Sequence, residues 1–243
     1  MISNIVLLIL AAGVPYYILL EKTPGLKSKH IFLISALLLL GAIIASKFIL
    51  AEHVQTYLVI SFISALFTIY KATKTTNFYK FAYYLMFVNA PFFIMFEKVG
   101  AMYSFSMLIC LLGIFLIGLF YEKHYGSANY RYITGVTLVR PYIGTFLTFY
   151  LVALALYPPF PNSMYFLGYL FSSEPDMLWL TVIVTLFFGN FMLAMSVMKK
   201  TLFGRPNSNI HYVNMPTLEK TKHMLILIVL LVLSINGVKE MIL

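Results

Sequence analysis

The sequence predicts an all-α protein, a polytopic transmembrane helical bundle of about eight crossings, and three observations carry that prediction. Of the 243 residues, 61% are apolar, where soluble domains have roughly 45–50%. Only 10% are charged, against about 25% in an ordinary domain. The apolar residues are gathered into runs near 5–20, 31–51, 54–70, 81–96, 99–121, 141–172, 176–198 and 223–241, and about 20 apolar residues suffice to cross a bilayer. A mean hydropathy of +0.91 leaves no room for a soluble globular domain, a disordered chain or a disulfide scaffold.

Taken in order, the first run follows Met1-Ile2-Ser3-Asn4. With no positive segment before it and no small-residue cleavage signal after it, this run reads as a retained crossing and not a signal peptide. The next four runs read as single crossings. The sixth, 141–172, is too long for one ordinary crossing, and Tyr157-Pro158-Pro159-Phe160-Pro161-Asn162 interrupts it. Pro158, Pro159 and Pro161 lack backbone donors and cannot continue a helix. Two readings stay open from the pattern: one discontinuous crossing with halves near 142–157 and 163–172, sheltered by neighbouring helices, or an external loop with an interfacial segment from Met164 to Phe171. The last two runs read as plain crossings.

The net charge of +9 follows the loops. Lys22, Lys27 and Lys29, then Lys71, Lys74 and Lys80, then Lys123, Arg131 and Arg140, then Lys199, Lys200, Arg205, Lys220 and Lys222 put 14 of the 17 basic residues on alternate loops. Lys47, Lys98 and Lys239 are left for the other side. Eight crossings with both termini outside satisfy the positive-inside rule; seven or nine would scramble it. The basic balance therefore reports orientation in a membrane and no nucleic acid.

An ionisable residue inside a membrane is a functional candidate by default, and the runs hold almost none. Glu21, Glu52, Glu97, Glu122, Glu174, Asp176, Glu219 and Glu240 fall at run ends or in loops, as do His30, His53, His124, His211 and His223, so the histidines read as interfacial. No metal-ligand spacing and no cofactor motif is present, and Cys110 sits alone in an apolar run. Lys47 is close enough to a helix end to snorkel; Lys80 opens the fourth run and either snorkels or points inward. Asn89-Ala90-Pro91 and Gly189-Asn190 read as polar kink points that pack helices, since Asn hydrogen-bonds across them.

Four stretches resemble a known family. Thr76-Asn77-Phe78-Tyr79-Lys80-Phe81-Ala82-Tyr83-Tyr84 is similar to a T-D-x-K-R-x-x-A-Y segment. Leu112-Gly113 through Gly118-Leu119-Phe120-Tyr121-Glu122-Lys123-His124 is similar to an L-x-G-x-L-Y-E-R-x-H helix end. Ala155-Leu156-Tyr157-Pro158-Pro159-Phe160 resembles the L-x-G-x-P-P-F break of a discontinuous helix, and Lys200-Thr201-Leu202-Phe203-Gly204 an R-x-x-F-F-G helix exit. In this order they resemble the antiporter-like membrane subunits of respiratory complex I (NADH:quinone oxidoreductase), of Mrp-type antiporters and of membrane-bound hydrogenases. The resemblance favours the broken-helix reading of 141–172. It covers 54–243, which it implies to be an antiporter-like C-terminal-half bundle, with 1–53 two further transmembrane helices of unassigned role. Family members carry two inverted repeats, and this chain has helices for little more than one.

The resemblance also implies a proton path, and here the chain departs from it. Tyr79 stands at the family's Lys and Lys80 at the following Arg; Ser106 stands at a His or Lys, and Phe166 at the Lys or Glu beyond the break. These four are the candidate ion-path residues, and their chemistry is that of a relay whose titratable groups have been removed. The expectation is a structural or sealing membrane subunit of a complex I-like respiratory assembly. It would be non-catalytic, without cofactor or metal, packed against other membrane subunits, in a bacterial inner membrane or the mitochondrial inner membrane. The alternative is a membrane partner in a two-component ion or inorganic-carbon transporter of the Mrp type.

Overall fold

Among the described residues, eleven helices follow one another: α1 (Ile2–Leu10), α2 (Tyr17–Lys22), α3 (Ser28–Ala45), α4 (Val54–Lys74), α5 (Phe78–Met95), α6 (Glu97–Tyr125), α7 (Val136–Val139), α8 (Pro141–Leu154), α9 (Pro161–Ser172), α10 (Met177–Thr201) and α11 (Thr217–Ile242). The computed structural model describes residues 2–48, 54–95, 97–131, 133–172 and 176–242, so Glu52, His53 and Glu174 lie outside the described residues. Among those described, an isolated bridge between Asn77 and Asn129 is the one β feature. The all-α bundle stands.

Among the described residues, five helices are long and apolar enough to cross a membrane: Ser28–Ala45, Gln55–Lys74, Val99–Tyr125, Met177–Thr201 and Thr217–Lys239. The central one is α6, with 72% of its apolar window buried inside the protein and no more than 44% in the other four. Its neighbour α5 is buried at every residue from Phe81 to Phe93. That enclosure is why α5 can carry Asn89 and a proline within its 18 residues: the amide meets protein and not lipid. Helices α3 and α4 pack on α5, α10 lies along α4, α5 and α8, and α8, α9 and α11 pack on α6.

Two runs are broken. The first, read above as a single crossing, is two short helices separated by residues 11–16. Ala12 takes a positive φ of 61°, Gly13 donates to the Leu8 carbonyl oxygen at 2.8 Å, and Pro15 has no N–H to offer a continuing helix. Nothing in a count of apolar residues reports such a turn. The sixth run breaks where expected, with α8 ending at Leu154, Leu156 at φ 59°, and Pro161 opening α9, the position where proline suits a helix.

Helix α11 shows which reading of the sixth run is correct. The Lys220 ammonium lies 4.0 Å from the Tyr142 ring centre, and the Tyr150 hydroxyl 2.9 Å from His223 Nδ1. Further along, Ser234 donates to the Pro159 carbonyl oxygen, Asn236 Nδ2 donates to the Tyr165 hydroxyl at 3.0 Å, and Met241 borders Gly168. Residues 142, 150, 159, 165 and 168 thus advance in one direction along a single helix. The segment is one discontinuous crossing, not an external loop with an interfacial segment.

The alternate loops meet at one end of the bundle, as the charge pattern requires. Lys29 pairs with Glu122 at 3.2 Å, Lys123 with Glu219 at 3.3 Å, and Lys80 approaches Glu21 to 3.9 Å. Phe78 N–H donates to the Ala128 carbonyl oxygen and Tyr130 N–H to that of Thr76. Thr134 donates to the Arg205 carbonyl oxygen, and Arg140 Nε donates to that of Tyr212. Gly135, at φ 65°, lets this loop come so close that a Cβ there would sit 2.8 Å from the Gly204 carbonyl oxygen. Tyr130 is buried in the same layer and donates to the Thr75 carbonyl oxygen at 2.9 Å; burial pushes its phenol well up, so it remains a neutral donor.

Candidate functional site

The buried polar groups are strung along one face of α6. Tyr103, Ser106, Cys110 and Gly113 are spaced by three, four and three residues, which places them on one helical face, and all are buried. Tyr103 donates to Asn89 Oδ1 at 2.7 Å. Asn89 and Asn190 exchange amide hydrogen bonds at 2.9 and 2.8 Å, joining α5 to α10. Asn89 Nδ2 also reaches the Leu85 carbonyl oxygen, one turn back on its own helix, at 2.9 Å. The two kink points noted separately in the sequence are one interhelical pair.

The helix break supplies the second knot. It sets Asn162 at the start of α9, 1% exposed, with its Oδ1 2.6 Å from Ser106 Oγ. Ser106 Oγ also lies 2.8 Å from the Tyr103 carbonyl oxygen, and its single proton serves one acceptor at a time. Phe166, one turn further along α9, packs edge-on to Phe92 at 5.5 Å and stacks with Phe187 at 5.7 Å. That side of α9 is aromatic and without a group that could hold a proton.

A third knot lies where α8, α11 and α6 meet. His223 is 2% exposed, stacks on Phe146 with ring centres 4.9 Å apart, and shares a hydrogen bond with the Tyr150 hydroxyl. The Tyr150 ring fills the space at Gly113, where a Cβ would approach to 2.4 Å. The interfacial reading of His223 is therefore corrected. Position 223 opens the last apolar run, but α11 begins at Thr217, so His223 lies almost two turns inside it. The signal that could have found it is the run of Thr217, Glu219, Lys220 and Lys222 before it, a polar helical start and not a loop.

Tyr79 and Lys80 occupy a different place. Asn77 Oδ1 accepts from the Tyr79 and Lys80 backbone N–H groups at 2.9 and 3.3 Å and caps α5. Tyr79 donates to Glu122 Oε2 at 2.7 Å, while Lys80, its side chain 41% exposed, faces Glu21. Glu21 in turn accepts from the Tyr83 and Tyr84 hydroxyls at 2.6 and 2.7 Å. Tyr79 rests against Gly118 of α6, twelve residues and about 18 Å along the helix axis from Ser106. The four candidates so divide into two pairs: Tyr79 and Lys80 at the basic end, Ser106 and Phe166 in the interior. Among the described residues, the buried set contains no Lys, Arg, Asp or Glu, and no group of His, Cys, Asp or Glu is placed to hold a metal.

No known family model and no curated protein sequence matches the chain. A solved structure does: a chain of the Mrp complex from Dietzia sp. DQ12-45-1b superposes with a TM-score of 0.65 over 99% of this chain, at 11% sequence identity. What the two share is the fold. The likeness takes in the broken first run as well as residues 54–243, and this chain spans 64% of that neighbour's length. The long apolar helices of this chain and the fold it shares with that membrane-complex chain agree in making it an integral membrane helical bundle.

Proposed function

We propose that the chain is a membrane subunit of a complex I-like, ion-translocating assembly, and that its own proton path is degenerate, so that it packs and seals more than it conducts. The observation that carries this is the interior: Ser106 and Phe166 stand where the resemblance implies titratable groups, and no buried carboxylate or ammonium replaces them among the described residues. A carrier needs groups that bind and release protons at depth, and these are costly enough in a membrane that chains keep them only for use. Residues 54–243 would be the antiporter-like half, with the helices before them covering α5 and α6. The partners would be other membrane subunits, which supply any complete relay.

Lys80 tests the reading. It is the one ammonium among the four candidates, and it sits at the basic end facing Glu21. Lys80→Met should leave translocation by the whole assembly within about a factor of two, roughly 0.4 kcal/mol in an activation barrier. Loss of translocation from a complex that still assembles would make Lys80 a relay residue and overturn the sealing role.

The likeness to a chain of an Mrp complex supports a second reading, a membrane partner in a two-component ion or inorganic-carbon transporter. Purification in a gentle detergent separates the two. Co-migrating flavin or iron–sulfur subunits favour the respiratory assembly, and a single membrane partner with a full Lys/Glu relay favours the transporter.

A further inference from the structure

At the basic end, a cavity of about 380 Å³ opens between α10 and the two loops that frame α5 and α6. It is lined by Thr76, Arg131, Thr134, Lys199 and Lys200. Three cations and two hydroxyl-bearing side chains share it, and no carboxylate does. The described carboxylates of this end are engaged elsewhere: Glu21 with Lys80, Glu122 with Lys29, Glu219 with Lys123. A second cavity at the same end, about 340 Å³, holds Lys27 and Lys29 but has Glu122 in its wall, so its charge is partly balanced. The orientation rule explains why lysines lie on this side; it does not explain why one cavity gathers cations with no counter-charge. Like charges gathered at an open surface depression of this kind raise the local concentration of an anion.

We propose that this cavity binds the phosphate of an anionic phospholipid. A guanidinium fork, two ammonium groups and the Thr76 hydroxyl are donors that phosphate oxygens accept from well, the Thr134 hydroxyl proton being committed to the Arg205 carbonyl oxygen. The lipid and not a free anion is the occupant because of what lies below the cavity. Lys199 and Lys200 are in the last turn of α10, and Lys71 and Lys74 in the last turn of the adjoining α4. The two helices touch where Gly189 meets Ile69. Leu66 and Met192, three residues from that contact on their respective helices, and Phe67 and Phe188 beside them, are exposed large hydrophobic residues. A headgroup in the cavity would have its acyl chains against those residues. The site stands independently of the ion-translocation reading.

The test uses the protein purified in a neutral detergent with whatever subunits accompany it, then moved into nanodiscs of phosphatidylcholine with or without phosphatidylglycerol. Native mass spectrometry counts the phosphatidylglycerol retained. Arg131→Gln with Lys199→Gln and Lys200→Gln should weaken retention by about a hundredfold, each charge at the surface contributing about fivefold. Neutralising Lys22, Lys27 and Lys222 instead should change it less than about threefold, because screened charges outside the cavity act only weakly. The charge-preserving set Arg131→Lys, Lys199→Arg and Lys200→Arg should retain lipid, and Arg131→Gln alone, an exposed single change, should cost about fivefold. Equal loss in the two neutralised sets, or no preference for phosphatidylglycerol over phosphatidylcholine, overturns the proposal. Inorganic phosphate, added to lipid-free protein, is the second arm: binding that depends on the same three residues and displaces phosphatidylglycerol would make a soluble anion the ligand, and the lipid site would be wrong.

Discussion

Two buried side-chain pairs set what single residues contribute. Asn89 and Asn190 satisfy each other across α5 and α10; without Asn190, Asn89 keeps Tyr103 and the Leu85 carbonyl, whereas without Asn89 the Asn190 amide loses both bonds of the pair in a dry interior. A double-mutant cycle with Asn89→Ala and Asn190→Ala, followed by thermal unfolding in detergent, should give a coupling of about 0.6–1.7 kcal/mol, the range seen for polar pairs between membrane helices. His223 and Tyr150 make the same point with a different failure. Tyr150→Phe keeps the ring beside Gly113 but leaves the buried imidazole nitrogen unpaired, which should destabilise the protein by about 1–3 kcal/mol. His223→Phe in the Tyr150→Phe background should recover part of that loss, since removing both polar partners costs less than orphaning one. No recovery would mean that the imidazole is held by something other than Tyr150. The asparagines were legible in the sequence as unusual residues in apolar runs. Their pairing was not, because 101 positions separate them and nothing local joins the two.

At the scale of the element, the break between α8 and α9 is what delivers Asn162 to Ser106. Pro158, Pro159 and Pro161 stop the helix, and α9 restarts with its first turn facing α6. Replacing all three by Ala should let the helix run on and turn Asn162 off the α6 face, because the restart would no longer be set by the break. Cysteines at Ser106 and Asn162, introduced with Cys110 replaced by Ala, should cross-link under mild oxidation in the parent chain and fail to do so in the triple-Ala variant. An undiminished cross-link in the variant would show that packing on α11, not the prolines, holds α9 in place. The prolines announced this break in the sequence because they remove donors outright. The break in the first run was missed, since Gly13 and a single Pro15 occur in ordinary crossings too.

Across the whole molecule, orientation is the testable property. With 14 of 17 basic residues on the loops that meet at one end, that end should face the cytoplasm or matrix. In a chain freed of Cys110, a cysteine at Ser127 or Asn207 should resist a membrane-impermeant maleimide added from outside and react once the membrane is opened. Labelling in intact cells or mitochondria would invert the topology. The same end carries the ion pairs of Lys29, Lys80 and Lys123 and both cavities, so most of the exposed chemistry of the protein lies on one side of the membrane.

The sequence by itself determined that the chain crosses a membrane, roughly how often, which loops share a side, and that the sixth run is broken. Each of those is a one-dimensional property: an apolar count, a charge alternation, or a residue without an N–H. Only the tertiary structure decided that α5 is enclosed from Phe81 to Phe93 beside α6, and that His223 faces Tyr150 inside the protein. It also brought Asn89 to Asn190, and kept Tyr79 and Lys80 about 18 Å from Ser106 along the α6 axis. The physical reason is that a bilayer reads composition along one segment, whereas a buried polar group is satisfied by whichever distant helix packs beside it.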